Sequence, residues 1–311
     1  MLEAMRRIHD RLFASALPAG LALVLAAAGA LVPVAGAAGQ GFREAQGARA
    51  AQADPGRAGQ ICRGTVYLTL DTGNMRDAEL IAATLTRHRV RATFFLANEK
   101  TVRGDHALDD GWRDWWRARA AEGHAFGSHT MDHVYFSGAA GDRVRAKPQF
   151  GAQAGREQRW DAGAVCAEIA RVDARFRELA GRPLDAIWRA PGGRLPEAVD
   201  RFATECGWSH VPWTPAGFLG DELPSEKFPN DRLLARQLKA IGDGDILIAH
   251  LGIWSRKDPY APMLDPLIAG LKAKGMCFAT IPEHPRWRKA DGPAGRAAGD
   301  KAGTGTALAR G

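Results

Sequence analysis

Between Val66 and Ile281 the chain carries seven short apolar runs, each but the last followed by a polar break and an amphipathic stretch. The runs are Val66 to Leu70, Ala92 to Leu96, Ala125 to Gly127, Ala186 to Trp188, Ser209 to Trp213, Ile246 to Ala249 and Cys277 to Ile281. Between them lie Ala78 to Arg89, Trp112 to Ala121, Ala164 to Ala180, Glu197 to Thr204, Asp231 to Ile241 and Leu264 to Lys274. Apolar runs this short read as buried strands, and the intervening stretches carry helical periodicity. Strands that alternate with helices form parallel βα units. Seven units in one series are too regular for a two-domain split and predict a single α/β barrel-like layer over residues 61–285. An open doubly wound sheet ranks second, because no strand is followed by a Gly-rich phosphate loop.

With 311 residues, 46% of them hydrophobic, the chain can bury a full core. Its formal charge of +7 invites a nucleic-acid reading, but the excess sits at the ends: residues 1–37 carry +1, 38–60 carry +1 and 286–311 carry +4. The body is left near +1, which removes the basis for a nucleic-acid footprint, and no nucleic-acid partner is expected. Arg6, Arg7 and Arg11 precede an apolar run from Leu12 to Ala38 that ends in Ala35-Gly36-Ala37, a small-x-small cleavage pattern. Residues 1–37 therefore read as a signal peptide cleaved after Ala37, or as an anchor if left uncleaved, the one case in which a membrane is a partner. Either way the body is exported, to the periplasm or cell envelope. Residues 38–60 read as a linker and 286–311 as a low-complexity tail.

Export permits disulfides, and the cysteines are Cys62, Cys166, Cys206 and Cys277. Three connectivities are possible. Cys62 precedes the first strand and Cys277 opens the last, so closing the layer could bring them together; free buried thiols are the alternative. Gly138 to Trp160 interrupts the alternation, is polar and Gly-rich, and predicts a mobile rim loop.

Several polar residues stand at the ends of apolar runs: Asp71, Arg189 and His250, together with the pair His129 and His133. Two imidazoles four residues apart share one face of a helical turn and make half of a zinc-type site. Taken singly, Asp71 also suits a helix cap, Arg189 a surface ion pair and His250 a satisfied core histidine.

Together the segments resemble the polysaccharide deacetylase family, the carbohydrate esterases with a NodB-type homology domain. The family's Thr-Phe-Asp-Asp-Gly is similar to Thr69-Leu70-Asp71-Thr72-Gly73, and Ala92-Thr93-Phe94-Phe95 follows as it does there. Gly123 to His133 resembles the family's Gly-His-Glu-Ile-Gly-Asn-His-Thr-x-x-His. Arg189-Ala190-Pro191-Gly192-Gly193 and Ile246-Leu247-Ile248-Ala249-His250 resemble its Arg-x-Pro-x-Gly and Ile-Leu-Leu-x-His. The resemblance implies a distorted (β/α)7 barrel and a metal-dependent hydrolase that removes acetyl groups from N-acetylated glycans such as polysaccharide or peptidoglycan. It further implies His129 and His133 as ligands of a divalent metal, zinc by ligand type, Asp71 as general base and Arg189 as its holder. His250 would be the general acid, and the Gly192 N–H an oxyanion donor. Trp254 is placed to stack on a sugar face or to pack in the core.

The family's second aspartate, an anionic metal ligand, is Thr72 here. A neutral hydroxyl in its place predicts weaker metal binding unless Asp71 swings in as a ligand. Val211-Pro212-Trp213-Thr214-Pro215 also departs from the family's fourth motif, with Asp221 as the stand-in for the aspartate expected to pair with Arg189. Two functions follow: a deacetylase with a modified metal site, or a catalytically impaired glycan-binding or scaffolding protein that retains the fold.

Overall fold

The structure, a computed structural model, describes residues 62–288. The expected export segment at 1–37, the linker at 38–60 and all but the first three residues of the expected tail lie outside them. In chain order the elements are β1 (Gly64–Asp71), α1 (Ala78–His88), β2 (Thr93–Leu96), α2 (Arg113–Ala121), β3 (Ala125–Ser128), β4 (Tyr135–Ala140), β5 (Arg143–Lys147) and β6 (Gln158–Trp160). They continue as α3 (Ala162–Ala180), β7 (Ile187–Trp188), α4 (Glu197–Glu205), β8 (Ser209–His210), α5 (Asn230–Ala240), β9 (Ile246–His250), α6 (Leu264–Ala273) and β10 (Met276–Phe278).

Seven of the strands form one parallel sheet in the order β10-β1-β2-β3-β7-β8, with β9 also on β1. Strand β1 is the spine, buried from Val66 to Asp71, which is why it reads as a continuous apolar run and not as an alternating one. β10 pairs with Gly64–Val66, β2 with Thr69–Asp71, and β9 with Tyr67–Asp71. This register sets Asp71 directly beside Phe95 on one side and His250 on the other. No ladder runs from β8 to β9. Instead the irregular segment 214–219 hydrogen-bonds β9, with Ile248 N–H on the Gly217 carbonyl at 2.9 Å and Thr214 N–H on the Ile246 carbonyl at 3.1 Å. The layer is therefore a seven-stranded parallel α/β sheet whose ring is not closed by strand pairing.

Helix α3 shows how local chemistry sets the boundaries. Asp161 caps its start by accepting from Ala164 N–H at 2.9 Å, and Gly181 ends it in the left-handed region at φ 71°. Its buried face, Val172, Phe176 and Leu179, joins Phe94, Trp116 and Phe126 in the main core.

The stretch from Gly138 to Trp160, expected as a mobile loop, contains most of a three-stranded antiparallel sheet, β4-β5-β6. The reason is its period: in Arg143-Val144-Arg145-Ala146-Lys147 every second residue is buried, and Val144 and Ala146 pack with Phe136, Ile169 and Trp188. Both disulfides form, Cys62–Cys277 and Cys166–Cys206. The first ties the start of β1 to β10, and the second ties α3 to the end of α4. Trp287, counted with the tail, packs against Tyr67, Phe95 and Val211, and its Nε1–H donates to the His210 carbonyl at 3.1 Å.

Candidate functional site

The C-terminal ends of β1, β2, β3, β7 and β9 meet at one end of the sheet, where parallel α/β layers place their chemistry. Asp71 closes β1, and the chain then turns through Gly73 at φ 61°, where a Cβ would lie 2.1 Å from the Gly252 carbonyl oxygen. Only glycine fits that approach of the loops after β1 and β9.

Asp71 is 1% exposed and its Oδ1 accepts from Arg189 Nη1 at 2.9 Å. Arg189 is fully buried; its Nε donates to the Val211 carbonyl at 3.1 Å and its guanidinium lies 4.2 Å over the Phe95 ring. Burial pulls Arg189 below its ordinary value, while the charge and hydrogen bond of Asp71 pull it back up. With one oxygen engaged, Asp71 turns Oδ2 toward His129 Nε2 at 3.5 Å.

His129 and His133 follow β3 in a turn and not, as their spacing suggests, on a helix. Thr130 and His133 both take left-handed backbone, at φ 61° and 47°. The hydroxyl of Thr130 accepts from Val134 N–H at 2.8 Å and holds the turn. The turn still brings the rings together, 4.9 Å between centroids. Burial, then the neighbouring His133, drives the pKa of His129 well below its ordinary value; burial lowers His133 as well. Asp132, between the two, points elsewhere and pairs with Arg171 at 2.9 Å.

His250 Nδ1 lies 3.1 Å from Asp221 Oδ2, which also accepts the His250 backbone N–H at 2.7 Å. Asp221 is thus the partner of His250 and not of Arg189, contrary to expectation. The expectation followed motif order, whereas the loop carrying Asp221 leaves segment 214–219 alongside β9, beside His250. Burial disfavours the charged imidazole, but Asp221, with Asp71 and Glu222 behind it, overcomes this and raises His250 to about 10. It is a cation at neutral pH.

Thr72 is engaged by its neighbours on the rim. Its hydroxyl accepts from Ala97 N–H at 3.2 Å and donates to Glu99 Oε2 at 2.5 Å. Gly73 N–H donates to the same oxygen at 2.5 Å. Glu99 Oε1 then faces His133 Nε2 at 3.8 Å. Sequence reasoning missed Glu99, although it stands just past the end of β2, on the same rim as the residues it did select. Gly192 takes φ 62° in the turn after Arg189. Trp254 is 57% exposed, so it is a surface aromatic and not core.

The donor chemistry fits a divalent cation. His129 Nδ1 faces the Arg189 carbonyl at 3.0 Å, and a carbonyl only accepts, so Nδ1 carries the hydrogen and Nε2 presents its lone pair. That buried lone pair faces no hydrogen-bond donor, only the Asp71 carboxylate at 3.5 Å, and is left available to a cation. Among the described residues no three His, Cys, Asp or Glu side chains are already drawn round one point. Donors about 2.0 to 2.1 Å from a tetrahedral ion stand about 3.4 Å apart, near the 3.8 Å between His133 Nε2 and Glu99 Oε1.

A family model described as polysaccharide deacetylase matches residues 58–211. A peptidoglycan-N-acetylglucosamine deacetylase of Bacillus cereus is 24% identical over 208 residues, covering 66% of this chain and 79% of that protein. A crystal structure of a peptidoglycan N-acetylglucosamine deacetylase aligns with a TM-score of 0.54 at 24% identity, over 71% of this chain and 87% of its own. A pseudoenzyme of carbohydrate esterase family 4 from Bacillus anthracis aligns with a TM-score of 0.52 at 18% identity, over 71% and 65%. At these identities the structural likeness is one of fold.

Proposed function

Since the chain belongs to the polysaccharide deacetylase family, we propose that it is an exported, metal-dependent hydrolase that removes acetyl groups from an N-acetylated glycan, peptidoglycan first among them. The observation that carries this reading is the separation of acid from base at one rim. Asp71 is held by Arg189 with one oxygen free, and protonated His250 is held by Asp221 on the neighbouring strand. A protein that only bound glycan would need neither.

His129 and His133 would hold a divalent cation, which when bound would polarise the acyl carbonyl and acidify a water. Asp71 Oδ2 takes the proton from the water as its oxygen bonds to the acyl carbon, and Arg189 keeps the carboxylate in place. The C–N bond then breaks. His250, whose Nδ1–H is committed to Asp221, gives its Nε2 proton to the departing amine. Acetate and a free amino sugar result, and both side chains re-equilibrate with solvent. The Gly192 N–H is the proposed donor to the developing oxyanion, and exposed Trp254 the proposed platform for a neighbouring sugar ring.

Thr72 favours a second reading, a glycan-binding or scaffolding protein that keeps the fold without the chemistry. Acetate release from purified peptidoglycan and from chitin oligomers, with zinc added, separates the two. Release that is lost in Asp71→Asn supports the enzyme; glycan binding with no release in either protein supports the scaffold.

A further inference from the structure

We infer that Glu99 is the anionic metal ligand of this site, replacing the carboxylate that Thr72 lacks, and that Thr72 has become the residue that orients it. This rests on the metal-dependent reading above. Three observations carry it. First, Glu99 is clamped through one oxygen only: the Thr72 hydroxyl and the Gly73 N–H both donate to Oε2 at 2.5 Å, and Ala97 N–H fixes the Thr72 hydroxyl in turn at 3.2 Å. That leaves Oε1 directed at His133 Nε2, 3.8 Å away, too far for a hydrogen bond and near the span of two donors on one ion. An orienting shell of this kind is what metal-ligating carboxylates require.

Second, the two other carboxylates of the catalytic set already have their cations. Asp71 has Arg189 and Asp221 has His250, whereas among the described residues no Lys or Arg pairs with Glu99. Its side chain is only 12% exposed, so the negative charge is largely withdrawn from water. Third, the backbone that carries Glu99 is pinned to both neighbours of the site. Asn98 N–H donates to the Met131 carbonyl at 2.8 Å in the histidine turn, and Val102 N–H to the Asn74 carbonyl at 3.1 Å beyond Thr72. The carboxylate comes from β2 where a β1 residue would otherwise supply it, and Asp71 stays free for the proton.

The test is titration of the purified protein with Zn2+ alone, by calorimetry, in wild type, His129→Ala and Glu99→Gln. Glutamine keeps an amide oxygen for the Thr72 and Gly73 donors, and thermal unfolding without zinc confirms that each variant folds. Wild type is expected to bind one zinc, His129→Ala none, and Glu99→Gln to bind about 10-fold or more weakly, with a smaller rise in Tm at saturating zinc. If His129→Ala abolishes binding while Glu99→Gln loses less than about 10-fold, Glu99 is not the ligand and the metal-dependent reading stands. If wild type itself binds no zinc, both fall.

Discussion

Replacing Asp221 by asparagine isolates the part of the site that depends on charge. The side chains are nearly the same shape, and the amide oxygen can still accept the His250 backbone N–H that the carboxylate accepts at 2.7 Å. What disappears is the negative charge 3.1 Å from His250 Nδ1. With it gone, burial is the leading influence on the imidazole, and the pKa falls from about 10 toward its ordinary value. If it returns to about 6.5, the protonated fraction at pH 8 drops from nearly complete to about 3%, roughly a 30-fold loss of general acid. At pH 6 about three quarters of the imidazole stays protonated, so the loss there is slight. The assay is the pH dependence of kcat for acetate release at saturating zinc. Wild type should hold its rate into alkaline pH, and Asp221→Asn should lose it with an alkaline limb several units lower. Stability follows the same sign: a raised His250 pKa stabilises the wild type below about pH 6.5, and that contribution fades as pH rises toward 10. A rate loss equal at pH 6 and pH 8 would refute the reasoning, since it would mean that Asp221 acts by shape and not by holding a proton on His250.

Arg189→Met should cost about 3 to 5 kcal/mol in urea unfolding, because it strands the buried Asp71 carboxylate without its cation; a shift under about 1 kcal/mol would contradict that. The double change Cys62→Ser and Cys277→Ser opens a loop spanning 215 residues, which the chain-entropy treatment values at about 5 kcal/mol as an upper figure. A Tm of the oxidised double variant well below that of the oxidised wild type, with Cys166–Cys206 intact in both, is the matching observation.

Strand and helix periods were readable because they are local. The seven apolar runs anticipated the parallel strands, and Asp71, Arg189 and His250 stood out because each ends a run at the rim where such sheets place polar residues. Even the antiparallel excursion carried its signal in the alternation from Arg143 to Lys147. What depended on the third dimension was partnership. Four cysteines allow three pairings, and only the placement of β10 beside the start of β1 selects Cys62 with Cys277. Asp221 was assigned by motif order to Arg189, but the chain leaving β8 runs along β9 and delivers it to His250. Thr72 read as a loss because, along the chain, nothing connects it to Glu99. In the parallel sheet the ends of β1 and β2 are adjacent, so a carboxylate 27 residues away lies one hydrogen bond from the hydroxyl. Charge pairing and metal geometry are set by distances of a few ångströms between strand ends, and those distances exist only once the sheet has formed.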